Sequence, residues 1–171
     1  MLVRSAVAAD APSVAAVHVA SWQRTYRGVF PDEVLDGPAL AANRRRLWER
    51  LLGAPGPRDV NLVAVDDEGR IVGLLHGCPS RDDDAEPDTG EVIAIYALPS
   101  AWGTGVGRSL MTAAVEGLRS AGFATVTLWV LDSNDRARRF YERAGFSPDG
   151  VTKDEDMAGA TIREVRYRRS V

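Results

Sequence analysis

The chain has 171 residues and a formal net charge of −3, which predict a single domain over residues 1–171 with a substantial core. The acidic balance argues against a nucleic-acid-binding protein, and no apolar run reaches the roughly 18 residues that a membrane span requires. The single cysteine, Cys78, excludes an internal disulfide, and Met1 begins a stretch that does not resemble a secretory signal. We therefore expect a cytoplasmic protein.

The N-terminal segment predicts a strand followed by an amphipathic helix. Residues 2–6 favour a short strand, and Asp10 followed by Pro12 is typical of a helix start. The apolar stripe of this helix ends with Trp22 and Tyr26. Two interpretations of these aromatic residues stay open: they pack in the core, or they form the wall of a substrate pocket.

The next segment predicts a helix, a hairpin and a loop. A second helix is expected over residues 33–52, interrupted near Gly37-Pro38. Residues 61–65 and 71–78 are strand-like and are joined by a short turn, which predicts a hairpin. The acidic residues 81–88 show no periodicity, so we expect a mobile, solvated loop there, with attraction of a cationic substrate as the alternative.

The centre of the chain combines a strand, a glycine-rich turn and a helix. Residues 91–97 predict the strand and residues 106–120 the helix, while Gly103, Gly105 and Gly107 occupy alternate positions between them. Glycine lets a backbone approach a ligand closely, and the N–H groups at a helix N-terminus attract anions. The turn therefore predicts a phosphate or diphosphate site, with a ligand-free tight turn as the alternative.

Two better-known phosphate loops do not fit this turn. The P-loop requires Lys followed by Ser or Thr after its last glycine, whereas Arg108 and Ser109 follow Gly107. The dinucleotide fingerprint requires a third glycine three residues after the second, and Arg108 occupies that position.

The C-terminal part predicts alternating strands and helices. Residues 124–131 predict a strand that runs parallel to residues 91–98, because a crossover helix joins the two. A further helix is expected over residues 134–144, with Gly145 as its C-terminal stop.

The remaining chain predicts two strands separated by a turn. The first strand is expected at residues 146–151 and the charged turn at residues 153–156. Residues 161–169 alternate, with Val165 and Tyr167 on one face and arginines on the other, as in a final strand.

Two motifs carry a resemblance to a known family. The segment from Leu98 to Gly107, which includes Trp-Gly-Thr-Gly-Val-Gly, resembles the pyrophosphate loop of the GCN5-related N-acetyltransferases (GNAT). Relatives usually begin this motif with Gln or Arg, where this chain has Trp102. The segment from Asn134 to Phe146 is similar to a second family motif, Asn-x-x-Ala-x-x-x-Tyr-x-x-x-Gly-Phe. The N-terminal segment around Trp22 also resembles many uncharacterised bacterial members.

The resemblance implies an α/β fold and a cosubstrate. The expected fold has a central mixed sheet of about seven strands, with two splayed parallel strands, flanked by four helices. Acetyl-CoA would enter the gap between the splayed strands, and no metal is expected because Cys78, His18 and His76 lack the spacing of a metal site. The residues expected to bind acetyl-CoA are Ile95, Tyr96, Ala97, Gly103, Thr104, Gly105, Val106, Gly107, Arg108, Asn134, Ala137 and Phe140.

Acetyl transfer to an amine requires a neutral nitrogen, a donor to the oxyanion and a proton for the leaving thiolate. The resemblance assigns the role of general acid to Tyr141, with an apolar-face aromatic residue as the alternative. Glu91 stands six residues before Ala97, where histone-type members carry a catalytic glutamate, and a surface residue is the alternative there. A backbone N–H near Ala97 or Leu98 is the expected oxyanion donor.

The predicted function is therefore an acetyl-CoA-dependent N-acetyltransferase with direct transfer in a ternary complex. The acceptor is a small-molecule amine or a protein amine, and a homodimer is possible by analogy with relatives. Three alternatives stay open: a non-catalytic acyl-CoA sensor, transfer of another acyl group, and transfer to a protein N-terminus or lysine.

Overall fold

The computed structural model describes residues 1–157 and 159–171, where five α-helices flank a seven-stranded mixed sheet. The elements in chain order are β1 (Leu2–Ser5), α1 (Ala11–Thr25), α2 (Asp32–Asp36), α3 (Pro38–Gly53), β2 (Val60–Val65), β3 (Ile71–Pro79), β4 (Thr89–Ala97), α4 (Val106–Ser120), β5 (Thr125–Leu131), α5 (Asp135–Arg143), β6 (Ser147–Met157) and β7 (Ala160–Ser170). The strand order is β1-β2-β3-β4-β5-β7-β6, with β4 and β5 parallel. The α/β fold and the parallel pair predicted from the sequence are confirmed.

The helix count differs from the four that were expected, because the second predicted helix is two helices. Gly37 has an extended backbone (φ −70°, ψ 150°) between α2 and α3. Pro38 follows it, and a residue that precedes proline is sterically disfavoured in the helical region. The predicted interruption at Gly37-Pro38 is therefore a complete break, and the described chain has five α-helices.

The two parallel strands pair over only part of their length. Their register runs from Thr89 opposite Thr125 to Val92 opposite Leu128 and then stops. On its other edge β4 carries a bulge at Ile93, which β3 skips as its pairing register shifts. A bulge bends the strand that contains it and increases the local twist. Beyond the bulge β4 diverges from β5, which leaves a gap in the middle of the sheet.

Each face of the sheet has its own hydrophobic core. On one face α4 buries Leu110 and Leu118 against the strands, and α5 packs partly buried residues against the same cluster. On the other face α1 and α3 enclose Trp48, which is 1% exposed, with Leu74 of β3. The gap between β4 and β5 therefore connects two helical layers.

The predicted turn at residues 153–156 is wrong, since these residues belong to β6. Lys153 pairs with Glu164 of β7, and Asp156 pairs with Thr161. The charges that indicate a turn in the sequence instead lie on an edge strand, where charged side chains are well tolerated.

Arg166 corrects the expectation of a mobile acidic loop. Alternation along β7 places Arg166 on the face opposite Val165 and Tyr167, and its side chain there is only 6% exposed. Its guanidinium donates to Asp149 at 2.7 Å, to Asp84 at 2.6 Å and to Asp82 at 3.2 Å. Asp82 and Asp84 belong to the acidic loop predicted to be mobile and solvated, so Arg166 fixes this loop to the sheet.

We expect Arg166→Met to lower the free energy of unfolding by about 1–3 kcal/mol, because Asp82 and Asp149 would lose their charged donor while mostly buried. Urea denaturation measures the change. The matched control is Arg163→Met on the same strand, where the side chain is 58% exposed and the expected loss is below about 1 kcal/mol. Equal losses in the two variants would contradict the anchoring role of Arg166.

Candidate active site

The divergence of β4 and β5 opens a cavity of about 420 Å³, which we call the central gap. Residues 92–97 form one wall and residues 129–131 the other. Ile95, Tyr96 and Ala97, predicted to bind the arm of acetyl-CoA, all lie along the first wall. A strand edge without a neighbouring strand presents backbone N–H and C=O groups, so an extended, amide-bearing ligand can pair there.

The glycine-rich turn lies beside this gap and has the backbone that its glycines permit. Gly103 and Gly105 have φ values of +81° and +95°, which other residues rarely adopt. Gly105 is the N-cap of α4. Gly107 has an ordinary helical backbone, but a Cβ atom there would lie 3.3 Å from the Phe140 ring. The first N–H groups of α4 lack helical partners and are available to an anion.

The residues next to these glycines would contact a ligand through different groups, either the backbone or the side chain. The Thr104 hydroxyl donates to the Ala101 carbonyl at 2.8 Å, and the Val106 side chain packs in the core at 3% exposure. These two residues would therefore contact a ligand mainly through their backbone. Arg108 instead offers a charged side chain: a guanidinium nitrogen lies 3.9 Å from where a Cβ atom of Gly105 would be, and the residue lines a second cavity together with the turn.

This second cavity, the outer cleft, has a volume of about 850 Å³ and a strongly basic lining. It contains Arg108, Arg136, Arg143 and Arg169, and no acidic side chain is among the described residues that line it. The whole chain has a net charge of −3, so the positive charge of this cleft is a local feature that the overall charge does not reflect. Such a cleft favours a ligand with several phosphates.

Trp102 stands at the junction of the central gap and the outer cleft. Its indole N–H donates to the Ala97 carbonyl at 2.9 Å. The Ser21 Oγ atom lies 3.0 Å from the same oxygen, but its single hydrogen has a closer acceptor in the Val17 carbonyl at 2.7 Å. The Arg136 guanidinium stacks 3.7 Å from the centre of the Trp102 ring. The Ala97 carbonyl thus already accepts from the Trp102 indole, and a ligand amide would compete with this donor for the oxygen.

The second sequence motif forms the far side of the central gap. Asn134 is the N-cap of α5, and its side-chain oxygen accepts a hydrogen bond from the Ala137 N–H at 3.1 Å. Asn134, Ala137 and Phe140 all line the gap. The cap explains structurally why Asn begins this motif, because a side-chain oxygen satisfies a free N–H of the first turn.

Tyr141 also lines the central gap. Its ring lies 5.3 Å from that of Phe140 and 6.4 Å from that of Phe146. Burial raises the pKa of the Tyr141 phenol, and the nearby Tyr96 and Glu164 raise it further. The phenol is therefore protonated at neutral pH and can donate a proton.

The two carboxylates nearest this chemistry lie in different surroundings. Glu91 is 2% exposed, accepts hydrogen bonds from the Arg81 backbone and guanidinium at 3.1 and 3.2 Å, and is not among the described residues that line the central gap. Glu164 of β7 does line the gap and lies 3.2 Å from the Lys153 ammonium. The sequence analysis missed Glu164. No local sequence pattern indicates it, because Glu164 reaches the gap through the pairing of β7 with β5, where it lies opposite Leu131.

The predicted substrate-binding residues separate between two cavities. Tyr26 lines the central gap, whereas Trp22 lines a cleft of about 900 Å³ between α1, α3 and β4, which we call the α1–α3 cleft. The two cavities share Ile93, Ala94 and Tyr96. The Trp22 indole N–H donates to the Tyr96 hydroxyl at 2.9 Å. The core interpretation also holds in part, since both aromatic rings pack against the Phe30 cluster.

Among the described residues, no group of three His, Cys, Asp or Glu side chains could hold a metal ion. In the same part of the chain, no helix combines the length and apolar character needed to cross a membrane.

The sequence matches known proteins over most of its length. A family model described as the acetyltransferase (GNAT) family matches residues 19–146. The chain is 31% identical over 164 residues to the uncharacterised N-acetyltransferase YuaI of Bacillus subtilis, covering 95% of this chain and 89% of YuaI. It is 27% identical over 172 residues to the probable N-acetyltransferase Rv2775 of Mycobacterium tuberculosis, covering 97% and 91% of the two chains.

The fold is similar to that of solved acetyltransferases. The PaiA N-acetyltransferase of Thermoplasma acidophilum, solved in complex with coenzyme A, superposes with a TM-score of 0.76 at 17% sequence identity. The superposition covers 99% of this chain and 98% of the other.

Proposed function

Because the chain belongs to the acetyltransferase (GNAT) family, as its motifs predicted, we propose that it transfers the acetyl group of acetyl-CoA directly to a primary amine. The observation that carries this proposal is the central gap. It joins a basic, glycine-lined cleft on one face of the sheet to an aromatic cleft on the other. One substrate can therefore enter from each side, and the two can meet between β4 and β5.

The described residues fit acetyl-CoA in both charge and shape. The N–H groups from Gly103 to Arg108 would bind the diphosphate, with the arginines of the outer cleft around it. The free edge of β4 would pair with the amide-rich arm and direct the thioester into the central gap. Trp102 would leave the Ala97 carbonyl as the arm enters, because its indole N–H occupies the oxygen that an amide of the arm would bind.

The transfer itself requires three actions from this chain. As the amine nitrogen attacks the thioester carbon, a backbone N–H near Ala97 would donate to the developing oxyanion. The N–H of Leu98, the other expected donor, already donates to the Val72 carbonyl at 2.9 Å. Collapse of the tetrahedral species breaks the carbon–sulfur bond, and Tyr141 would protonate the departing thiolate. A carboxylate would accept the proton that the nitrogen loses. We favour Glu164 over Glu91 for this step, because Glu164 is among the described residues that line the gap and Glu91 is not.

Cys78 supports direct transfer rather than an acyl-enzyme. Burial raises the pKa of this thiol to about 11. Since the thiolate is the nucleophilic form, a thiol with this pKa reacts poorly at neutral pH.

We expect acetyl-CoA and free coenzyme A to raise the thermal midpoint of the purified protein, and NAD to leave it unchanged. A ligand that binds only the folded state stabilises it in proportion to ln(1 + [L]/Kd), so saturating coenzyme A should give a shift of several degrees. Release of free thiol from acetyl-CoA in the presence of an amine panel then measures transfer.

The same assay separates the alternatives. Stabilisation without thiol release for any amine would favour an acyl-CoA sensor, and faster release from propionyl-CoA or succinyl-CoA would favour another acyl group. No stabilisation by coenzyme A would contradict the proposal. The homodimer and the cytoplasmic location stay predictions, and light scattering tests the first.

A further inference from the structure

Arg44 lines the α1–α3 cleft and forms no ion pair with any described residue. It lies on α3, and its guanidinium stacks 4.0 Å from the centre of the Trp22 ring. Its Nε atom is buried and has no hydrogen-bond partner among the described residues. Burial lowers the pKa of this guanidinium, and the groups that offset the effect are Tyr96 and Tyr26 rather than a carboxylate. Partial burial of a cation without an anionic neighbour is unfavourable, and a bound anion would compensate for it.

His18 provides a second unpaired donor at the same cleft. The Trp48 indole N–H donates to His18 Nδ1 at 3.0 Å. An indole can only donate, so Nδ1 must be unprotonated and the neutral ring carries its hydrogen on Nε2. This Nε2 is buried without a partner among the described residues. Burial and the Arg44 charge lower the pKa of His18 to about 3, which leaves a neutral donor at pH 7.

The charge and position of the cleft agree with these two donors. Its lining includes Arg44, Arg50 and Arg81 but only one carboxylate, Glu33. Glu91 neutralises Arg81, which leaves a net positive lining near Arg44. The cleft also shares β4 residues with the central gap, so a molecule seated beside Arg44 can extend towards the thioester.

We infer that the amine acceptor is a small molecule that also carries a carboxylate, and that Arg44 and His18 bind this carboxylate. A carboxylate has the acceptor oxygens that both donors lack, and the planar guanidinium suits its geometry. The Trp22 ring stacks against the Arg44 guanidinium and restricts its orientation. This inference rests on the proposed acetyl transfer and specifies its substrate class as an amino acid or a similar amino-carboxylate.

The test compares matched acceptors and matched variants by thiol release from acetyl-CoA. The probes are the L-amino acids, the corresponding L-amino-acid carboxamides, and spermidine and butylamine as amines without a carboxylate. We expect the wild type to use at least one amino acid with a kcat/KM about 10- to 100-fold above that of its carboxamide, the change that a charge-assisted hydrogen bond produces. Arg44→Gln should remove this preference by raising the KM of the amino acid, while the carboxamide and acetyl-CoA parameters stay within about twofold.

The control is Arg46→Gln, which makes the same substitution on α3 outside the cleft and should leave the preference intact. Equal use of amino acids and carboxamides by the wild type would overturn the inference even if Arg44→Gln failed to fold. Retention of the preference in a folded Arg44→Gln variant would also overturn it. Acetylation of spermidine or butylamine alone would overturn the carboxylate inference but leave acetyl transfer intact. Failure of every probe, together with a fully bound acetyl-CoA, would overturn both.

Discussion

Tyr141→Phe is expected to lower kcat by about 10²- to 10³-fold, with the affinity for acetyl-CoA unchanged. The substitution keeps the ring, which packs against Phe140 and Phe146, and removes only the hydroxyl at the central gap. Without this proton donor the thioester sulfur must leave as an unprotonated thiolate. Steady-state kinetics by thiol release and calorimetric titration with acetyl-CoA measure the two quantities.

Tyr167→Phe is the matched control for this prediction. The Tyr167 ring is fully buried near that of Tyr141, but its hydroxyl donates to Glu142 and accepts from Arg138 away from the gap. We expect the control to lose about 1 kcal/mol of stability and to keep its kcat. If Tyr141→Phe were as active as the control, Tyr141 would have no role in proton transfer.

Gly105→Val is expected to weaken coenzyme A binding by about 10- to 100-fold, the cost of forcing a β-branched residue to a positive φ or of rearranging the turn. Gly105 has φ +95° and is the N-cap of α4, so any change in its backbone redirects the N–H groups offered to the diphosphate. Calorimetric titration with coenzyme A gives the dissociation constant.

The control for this substitution is Gly69→Val. Gly69 has a similar φ of +80°, has open space around its Cβ direction and lies in the turn between β2 and β3, outside all three cavities. We expect Gly69→Val to lower the free energy of unfolding about as much as Gly105→Val does, because both glycines have a positive φ. The dissociation constant for coenzyme A should stay unchanged in this control. A Gly105→Val variant that bound coenzyme A normally would show that the turn does not hold the diphosphate.

Local patterns were sufficient to predict most of the fold. Chain-local signals such as Asp10-Pro12, the glycines before α4 and Gly145 after α5 placed the helices, and the crossover helix predicted the parallel pair. The same motifs placed the glycine-rich turn and Tyr141 beside one gap, because both occur at fixed distances from strand ends.

Such local patterns could not predict the interactions between segments that are distant in the sequence. Arg166 became buried because Asp82 and Asp84, more than 80 positions away, meet it across the sheet. Glu164 reaches the gap because β7 pairs with β5, and the sequence does not reveal that register. Arg44 stands in a run of three arginines, and only the packing of α3 against α1 distinguishes it from the exposed Arg45 and Arg46.

The cavities on the two faces of the sheet differ in chemistry. The outer cleft is basic, and we place the phosphate-bearing substrate there; the α1–α3 cleft carries aromatic rings and Arg44, and we place the proposed acceptor there. The partial pairing of β4 with β5 is what connects them. Closure of the central gap would therefore abolish transfer without removing any catalytic side chain.

The most direct test is a crystal structure of the protein grown with saturating acetyl-CoA. We predict the thioester between β4 and β5 near Tyr141, the diphosphate on the N–H groups of residues 103–108, and the Trp102 indole displaced from the Ala97 carbonyl. Acetyl-CoA bound elsewhere, or an empty central gap at saturating concentration, would contradict the account.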